Sequence, residues 1–259
     1  MIYQNRYECK FVVPEEVVAD VINSVQPHVE PDPYAATQQD HSYEIASLYL
    51  DDPFDTLYRE TIEGRAERFK LRVRSYGNDA DQERRTVFLE VKRRYNSIVR
   101  KLRCPVPHDL LEDLLHGGNI TRDESLSALP DMHRPALNEF LRLSATRAAG
   151  PRCTVRYRRQ AYVGIDDLDT RVTFDRHLST LPTESTRVEH RDPCYIAVPT
   201  GGVILELKYT NQMPPWMAVT IRKLELQRRS FSKYCSSVDA ERREGVGPFD
   251  DRQASETRT

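Results

Sequence analysis

Residues 68–77, RFKLRVRSYG, and 86–95, TVFLEVKRRY, decide how the chain is read. Both segments alternate, and successive side chains of a strand point to opposite faces. In the first, Phe69, Leu71 and Val73 share one face while Lys70, Arg72 and Arg74 share the other. In the second, Val87, Leu89 and Val91 oppose Phe88, Glu90 and Lys92. Gly77 and Asn78 close the first strand, and the polar stretch NDADQERR reads as the turn between the two. The pair is a hairpin with one apolar face and one charged face.

The same grammar recurs along the chain. Cys9, Phe11 and Val13 oppose Glu8 and Lys10; Val172 and Phe174 oppose Arg171, Thr173 and Asp175; Val203, Leu205 and Leu207 oppose Glu206 and Lys208. For one strand, a charged face is the ordinary solvated side of a sheet. Five strands with Glu, Lys and Arg at their centres are different, because strand propensity disfavours Glu and Lys and ordinary wet faces use Thr, Ser, Gln and Asn. Further strands are read at 43–52, 98–106, 154–164 and 195–198.

The apolar faces need cover. Helices are expected after Pro14, with Glu15 and Glu16 in the first turn; at 108–118, with Leu110, Leu111, Leu114 and Leu115 inward and a Gly stop; at about 135–145; and from Pro215 to about 227, with Trp216, Val219 and Leu224 inward. Residues 27–42 read as a loop, and 54–63 fit helix or loop equally. The expectation is an α+β fold: an antiparallel eight-stranded, or nearly eight-stranded, tunnel barrel with helices packed outside. Charged faces then point into the barrel. One domain is expected over 1–244, with a disordered tail at 245–259.

Composition narrows the function. With 39% hydrophobic and 30% charged residues among 259, neither disorder of the whole chain nor a collagenous repeat fits. No apolar run approaches the roughly 18 residues of a membrane span, and the N-terminus has no signal-peptide core. Cys9, Cys104, Cys153, Cys194 and Cys235 are scattered, which argues against a zinc site or disulfide framework and for a reducing cytoplasm. His108, His116, His133 and His190 form no metal-binding pair and read as surface or capping residues.

The net charge of −2 conceals a segregation: residues 65–103 hold thirteen Lys or Arg against five Asp or Glu, whereas 104–147 hold four against seven. A local positive field in a near-neutral chain points to a small anionic ligand rather than to nucleic acid, and the aromatic interleaving of a single-strand groove is missing. A barrel of about eight strands holds one small ligand. Lys and Arg crowded inside it repel each other unless an anion fills it, and interspersed Glu suits a hard cation that bridges to phosphates. The inferred ligand is a polyphosphate with Mg²⁺ or Mn²⁺, and phosphoryl transfer needs mainly positioning and charge neutralisation.

Taken in order, Arg6-Tyr7-Glu8-Cys9-Lys10, Ser47-Leu48-Tyr49-Leu50-Asp51, Lys70-Leu71-Arg72-Val73-Arg74 with Tyr76-Gly77, and Leu89-Glu90-Val91-Lys92 resemble the triphosphate tunnel metalloenzymes. Tyr157 to Tyr162, Arg171-Val172-Thr173-Phe174-Asp175, Leu205-Glu206-Leu207-Lys208 and Ser232-Lys233-Tyr234 continue the series. Within that superfamily the chain resembles the VTC branch, the polyphosphate polymerase domain of the vacuolar transporter chaperone complex and its stand-alone bacterial relatives. The resemblance implies phosphate contacts from Lys10, Arg72, Arg74, Lys92, Arg159, Arg171, Lys208 and Lys233, with Lys70, Lys101 and Arg103 as further ones. It implies Glu206 as metal ligand for Mn²⁺ or Mg²⁺, with Glu8 and Glu90 as second choices; Tyr49 and Asp51 are read as structural.

One departure separates subfamilies. Where tunnel triphosphatases and related adenylate cyclases begin Glu-x-Glu-x-Lys, Arg6 takes the place of the first Glu. A lost carboxylate and a gained cation disfavour a second metal and attack by metal-activated water. The expected activity is therefore a metal-dependent polyphosphate polymerase that moves the γ-phosphate of ATP onto a growing chain. The alternatives are a tunnel triphosphatase and a non-catalytic polyphosphate or inositol-polyphosphate binding module. Larger eukaryotic relatives add an inositol-phosphate-sensing domain and a membrane domain. Neither is expected here, so the chain is expected to be cytoplasmic and not membrane-spanning, held at the inner face of the membrane, if at all, by a separate membrane partner.

Overall fold

A computed structural model describes residues 6–38, 40–77, 86–96, 98–116 and 129–246. The turn at 78–85, the Gly stop at 117–118, the tail from 247 and the side chains of Arg6 and Ile98 lie outside the described residues. The long strands are β1 (Arg6–Val13), β3 (Ser42–Asp51), β4 (Glu67–Tyr76), β5 (Thr86–Tyr95), β6 (Ile98–Pro107), β7 (Gly150–Gly164), β8 (Arg171–Pro182) and β10 (Val203–Thr210). All pair antiparallel in the order β1-β10-β8-β7-β3-β4-β5-β6, while the short β2 (Val29–Pro31) and β9 (Ile196–Ala197) flank β7 and β8. The eight-stranded sheet curls strongly into a half-barrel whose end strands are β1 and β6, β1 being met along its outer side by the main chain of Arg228 and Arg229.

Helices cover the convex side, where the apolar residues of each strand point. Val18, Val21 and Val25 of α1 (Glu15–Val25) pack on Phe11, Phe174 and Leu205. The short α2 (Pro33–Ala36) lies within the predicted 27–42 loop; Pro33 at its start and the Asp32 side chain accepting from the Tyr34 N–H at 3.0 Å nucleate it. In α3 (Thr56–Ile62), the ambiguity at 54–63 resolves to helix, because Asp52 accepts from the N–H of Thr56 (3.0 Å) and Asp51 from those of Leu57 (2.8 Å) and Tyr58 (2.9 Å). Leu57, together with α4 (Leu111–His116) and α5 (Arg134–Arg147), covers Leu48, Leu71 and Leu89. Met217 and Trp216 of α6 (Pro215–Lys223) join the α1 side, where Trp216 stacks on His28 at 5.1 Å. This helix stops earlier than the predicted 227. Glu225 takes φ +49° and the N–H of Leu226 bonds back to Ile221 O at 2.9 Å, a left-handed C-terminal closure.

The last helix, α7 (Lys233–Glu244), had no counterpart among the expected elements. It lies across one end of the concave face, where Tyr234, Cys235 and Val238 pack on Tyr49, Val155, Tyr157 and Ile204. Its anchorage is polar as well as apolar. Tyr234 donates to Asp51 (2.5 Å), Tyr58 to Asp239 (2.5 Å), and buried Arg152 bridges Asp55 (2.8 Å) and Glu241 (2.7 Å). Asp51 is thus structural, as read from sequence: it ties the start of α3 to α7.

Two bulges shape the curl, one in the β3–β7 pairing at Tyr49/Leu50 and one in β7–β8 between Arg156 and Arg158. At the second, His177 takes φ +53°, so Asp175 and Leu178 both face inward despite their odd spacing. Gly202 opens β10 where a Cβ would come within 2.4 Å of Val13 O. His190 corrects the surface-or-capping expectation: it is fully buried, with Nδ1 2.9 Å from Glu44 Oε1. Among the described residues no helix is long and apolar enough to cross a membrane.

Candidate functional site

Alternation places every second residue of the long strands on the concave face. The eleven cations named from sequence all line one cavity there, of about 640 Å³. Lys10 comes from β1; Lys70, Arg72 and Arg74 from β4; Lys92 from β5; Lys101 and Arg103 from β6; Arg159 from β7; Arg171 from β8; Lys208 from β10; Lys233 from the first residue of α7. Glu8 and Glu206 line the same cavity. Glu90 is fully buried behind it.

Around Glu206 the charges are paired. Lys208 Nζ lies 2.6 Å and Lys233 Nζ 2.9 Å from its oxygens, with Arg159 at 3.4 Å and Lys10 at 3.6 Å. Arg159 also forks onto Asp175 at 2.6 and 2.7 Å, and Lys233 reaches the same carboxylate at 2.7 Å. Such bidentate, charge-assisted bonds are the strong class. Burial pushes the Glu206 carboxyl up, but Lys208, Lys233, Lys10 and Arg159 outweigh it and hold the group well below the usual carboxylate range. Burial also disfavours the charged Lys233, yet Asp175 and Glu206 raise it above the ordinary lysine value.

On the other wall one carboxylate serves several cations. Glu90 receives Arg72 at 2.6 Å and Lys101 at 2.6 Å, with Arg103 at 3.5 Å and Arg74 at 3.9 Å. Burial alone would raise Glu90; Arg72, Arg74 and Lys101 hold it far below the usual range. The cations here are less completely neutralised. Burial pushes Lys70 down to about 7, with Lys10, Lys92 and Arg72 as positive neighbours, and it donates to Ser232 Oγ at 2.6 Å, its one hydrogen bond among the described residues. Burial likewise pushes Lys101 down to about 7 despite Glu90. Lys92 is bonded to Glu8 at 2.9 Å, a bridge from β5 to β1 that spans the open edge of the sheet.

Asp175, Tyr157, Tyr76, Phe88 and Thr173 were not singled out from sequence as site residues. Asp175 is the partner of Arg159, and its place in the Arg-x-Thr-x-Asp alternation was the available signal. Tyr157 accepts from Arg74 at 3.2 Å, and Lys233 lies over its ring at 4.9 Å. Tyr49 bonds Arg72 at 3.0 Å, so its part extends beyond structure. Arg103 lies over the Phe88 ring at 3.6 Å and bonds Tyr76 at 3.1 Å. Thr173 Oγ1 and Arg171 Nε are buried without a hydrogen-bond partner among the described residues, although both residues line the cavity. Unsatisfied buried polar atoms in a cavity wall are positions for a ligand's oxygens.

The donor set also bears on a divalent cation. Among the described residues no three Asp, Glu, His or Cys side chains converge as a metal site. Glu206 and Glu8 fit a hard cation that arrives already held by phosphate oxygens and takes one or two carboxylates here.

The family model of the VTC domain matches residues 5–241. Among solved structures, a putative adenylate cyclase from Bacillus halodurans is 10% identical, covering 88% of this chain and 94% of that one, with TM-score 0.48. A putative adenylyl cyclase from Hippeastrum, described as having a dominant triphosphatase activity, is 12% identical, covering 94% and 97%, with TM-score 0.48. A protein from Pyrococcus horikoshii OT3 is 12% identical, covering 92% and 98%, with TM-score 0.42. No curated protein matches.

Proposed function

The chain belongs to the VTC domain family, and on that premise we propose that it is a polyphosphate polymerase, transferring the γ-phosphate of ATP to the end of an inorganic polyphosphate chain. The observation that carries this reading is the charge of the cavity. Twelve cations line it, the eleven above and Arg100, and the carboxylates paired with them among the described residues are Glu8, Asp32, Glu90, Asp175 and Glu206. A triphosphate with one divalent cation brings about two negative charges. The cationic excess is larger than that even with Lys70 and Lys101 near half-neutral at pH 7, so it suits a second polyanion beside the first. A donor and an acceptor held together are what a transferase needs.

In this reading Lys10, Lys208, Lys233 and Arg159 orient the nucleotide's phosphates beside Glu206. Arg72, Arg74, Lys92 and Lys101 draw the acceptor chain alongside. A terminal oxygen of the acceptor forms a bond to the γ-phosphorus as the bond from that phosphorus to the β–γ bridging oxygen breaks; ADP leaves with the electron pair. The attacking oxygen is already ionised, so no general base is required. The guanidinium and ammonium groups neutralise charge on the transferred phosphoryl group as it develops. A divalent cation at Glu206, with Glu8 nearby, would supply further neutralisation of the phosphate oxygens.

The test is incubation with ATP and Mn²⁺ or Mg²⁺, with and without pyrophosphate, and separation of products on a gel stained for polyphosphate. A ladder is expected, and Glu206→Ala is expected to lower its yield at least about 100-fold. Free phosphate without a ladder would assign the cavity to hydrolysis. Binding of ATP or polyphosphate with no product would assign it to a binding module.

A further inference from the structure

The concave face of β4 and β5 does not end with the cavity. Lys70 stands directly opposite Lys92, and two residues further along each strand Arg68 stands directly opposite Arg94. Like charges directly opposite in a sheet destabilise it. Here two such rows follow one another on the same face. The outward-facing neighbour shows the contrast: Arg93 reaches the carboxylates of Glu67 and, at 3.5 Å, Glu139. Arg94 bonds only a main-chain oxygen, Asn96 O at 2.7 Å, and Arg68 only Arg65 O, with no carboxylate partner for either among the described residues. Exposure rises along the path, from the half-buried Lys70 and Arg68 to the solvent-exposed Arg94. Arg68 also lies near Cys235 in the first turn of α7, so the path skirts the helix that covers this end of the cavity.

We propose that these two rows form a lane along which a polyphosphate chain runs from the cavity to the protein surface, Lys70 and Lys92 holding its inner part and Arg68 and Arg94 its outer part. The inference rests on the reading of the cavity as a polyphosphate site. It adds two residues, and a direction past the start of α7, to that reading. Each phosphate of the chain carries about one negative charge, so the repelling row becomes an attractive one when the chain is present.

The lane makes affinity depend on chain length. Tripolyphosphate fits within the cavity, whereas a long chain also reaches Arg68 and Arg94. The experiment measures binding of both probes to the full chain and to the Arg68→Gln/Arg94→Gln variant over a range of salt. The wild-type protein is expected to hold the long chain more tightly than tripolyphosphate. The double variant is expected to lose roughly tenfold for the long chain, with a salt slope shallower by about two, and to keep its affinity for tripolyphosphate. Unchanged long-chain affinity, or equal loss for both probes, overturns the lane. If the double variant melts early, the exposed Arg94→Gln alone is expected to give about half the change in slope. Length-dependent loss without any ladder from ATP would remove the polymerase and leave the lane standing. No binding of either probe by the wild-type protein would remove the polyphosphate reading and the lane with it.

Discussion

The wall formed by β4, β5 and β6 and the wall formed by β1, β7, β8, β10 and α7 use the same alternation of apolar and charged residues, but they settle their charges differently. The second wall holds five cations with three carboxylates, Glu8, Asp175 and Glu206, and most of its cations are in contact with one of them. The first puts seven cations, Arg100 included, on the cavity beside the one carboxylate of Glu90 among the described residues, and Lys70 has no carboxylate partner among them. One wall is largely neutralised within the protein; the other is left for a ligand to neutralise. Cations of the first kind are expected to hold the fold together, and those of the second to cost stability and gain affinity.

The strongest way to break this comparison is Arg159→Met. Arg159 is buried and forks onto Asp175, so its removal leaves buried carboxylates short of a partner. Unfolding in urea, followed by the fluorescence of Trp216, is expected to register a loss of about 3–5 kcal/mol. A loss below about 1 kcal/mol would mean that the two walls do not differ as described.

Lys70→Met examines the opposite wall and is expected to have a smaller effect of the other kind. Stability at pH 7 should hold or rise, while affinity for tripolyphosphate falls roughly tenfold. The pH dependence has a definite sign. Lys70 is pushed down to about 7 in the folded protein from an ordinary value of 10.5, so between those values the unfolded chain holds more protons and this group makes stability rise with pH. Bound phosphate favours the charged form, so its contribution to affinity weakens as pH rises through about 7. Titrations of wild type and variant across that range should differ by this component; identical profiles would place Lys70 outside the ligand's reach.

The smallest effect is expected from Glu8→Gln. The Lys92–Glu8 bridge is partly exposed, with side-chain accessibilities of 36% and 21%. Such pairs contribute under about 1 kcal/mol. The urea midpoint should move little, and the long polyphosphate should bind as well or better because Lys92 is released to it. A large loss of stability would show that this bridge, rather than the sheet, keeps the edges together.

Much of this was legible in the sequence, for one physical reason: a period of two states which face a residue occupies. That is how the sequence alone groups Lys10, Arg72, Arg74, Lys92 and Lys208. Register was not legible, and register decides which charges meet. Lys70 opposite Lys92 and Arg68 opposite Arg94 follow from the pairing of β4 with β5, and Arg159 opposite Asp175 from that of β7 with β8. The covering helix was missed because its buried face carries Lys233, Tyr234, Cys235, Ser237 and Glu241 rather than an aliphatic stripe. Its burial depends on partners such as Asp51 and Arg152, far away in sequence. His190 is buried for the same kind of reason, opposite Glu44. Strand count, finally, does not say whether a curled sheet closes.

That last point has a topological consequence. A ring must be threaded by a free end, whereas a clasp can close around the middle of a cord. The sheet ends at β1 and β6; Glu8 and Lys92 bridge the gap by side chains, whereas the main chain of Arg228 and Arg229 pairs with Phe11 and Lys10 of β1 and runs on to Ser232, against Lys70 of the far wall. Side-chain bridges rearrange in nanoseconds, far faster than strands separate. The Glu8–Lys92 crossing can therefore open without parting two strands, whereas the crossing at Arg228 and Arg229 is fixed by the main chain.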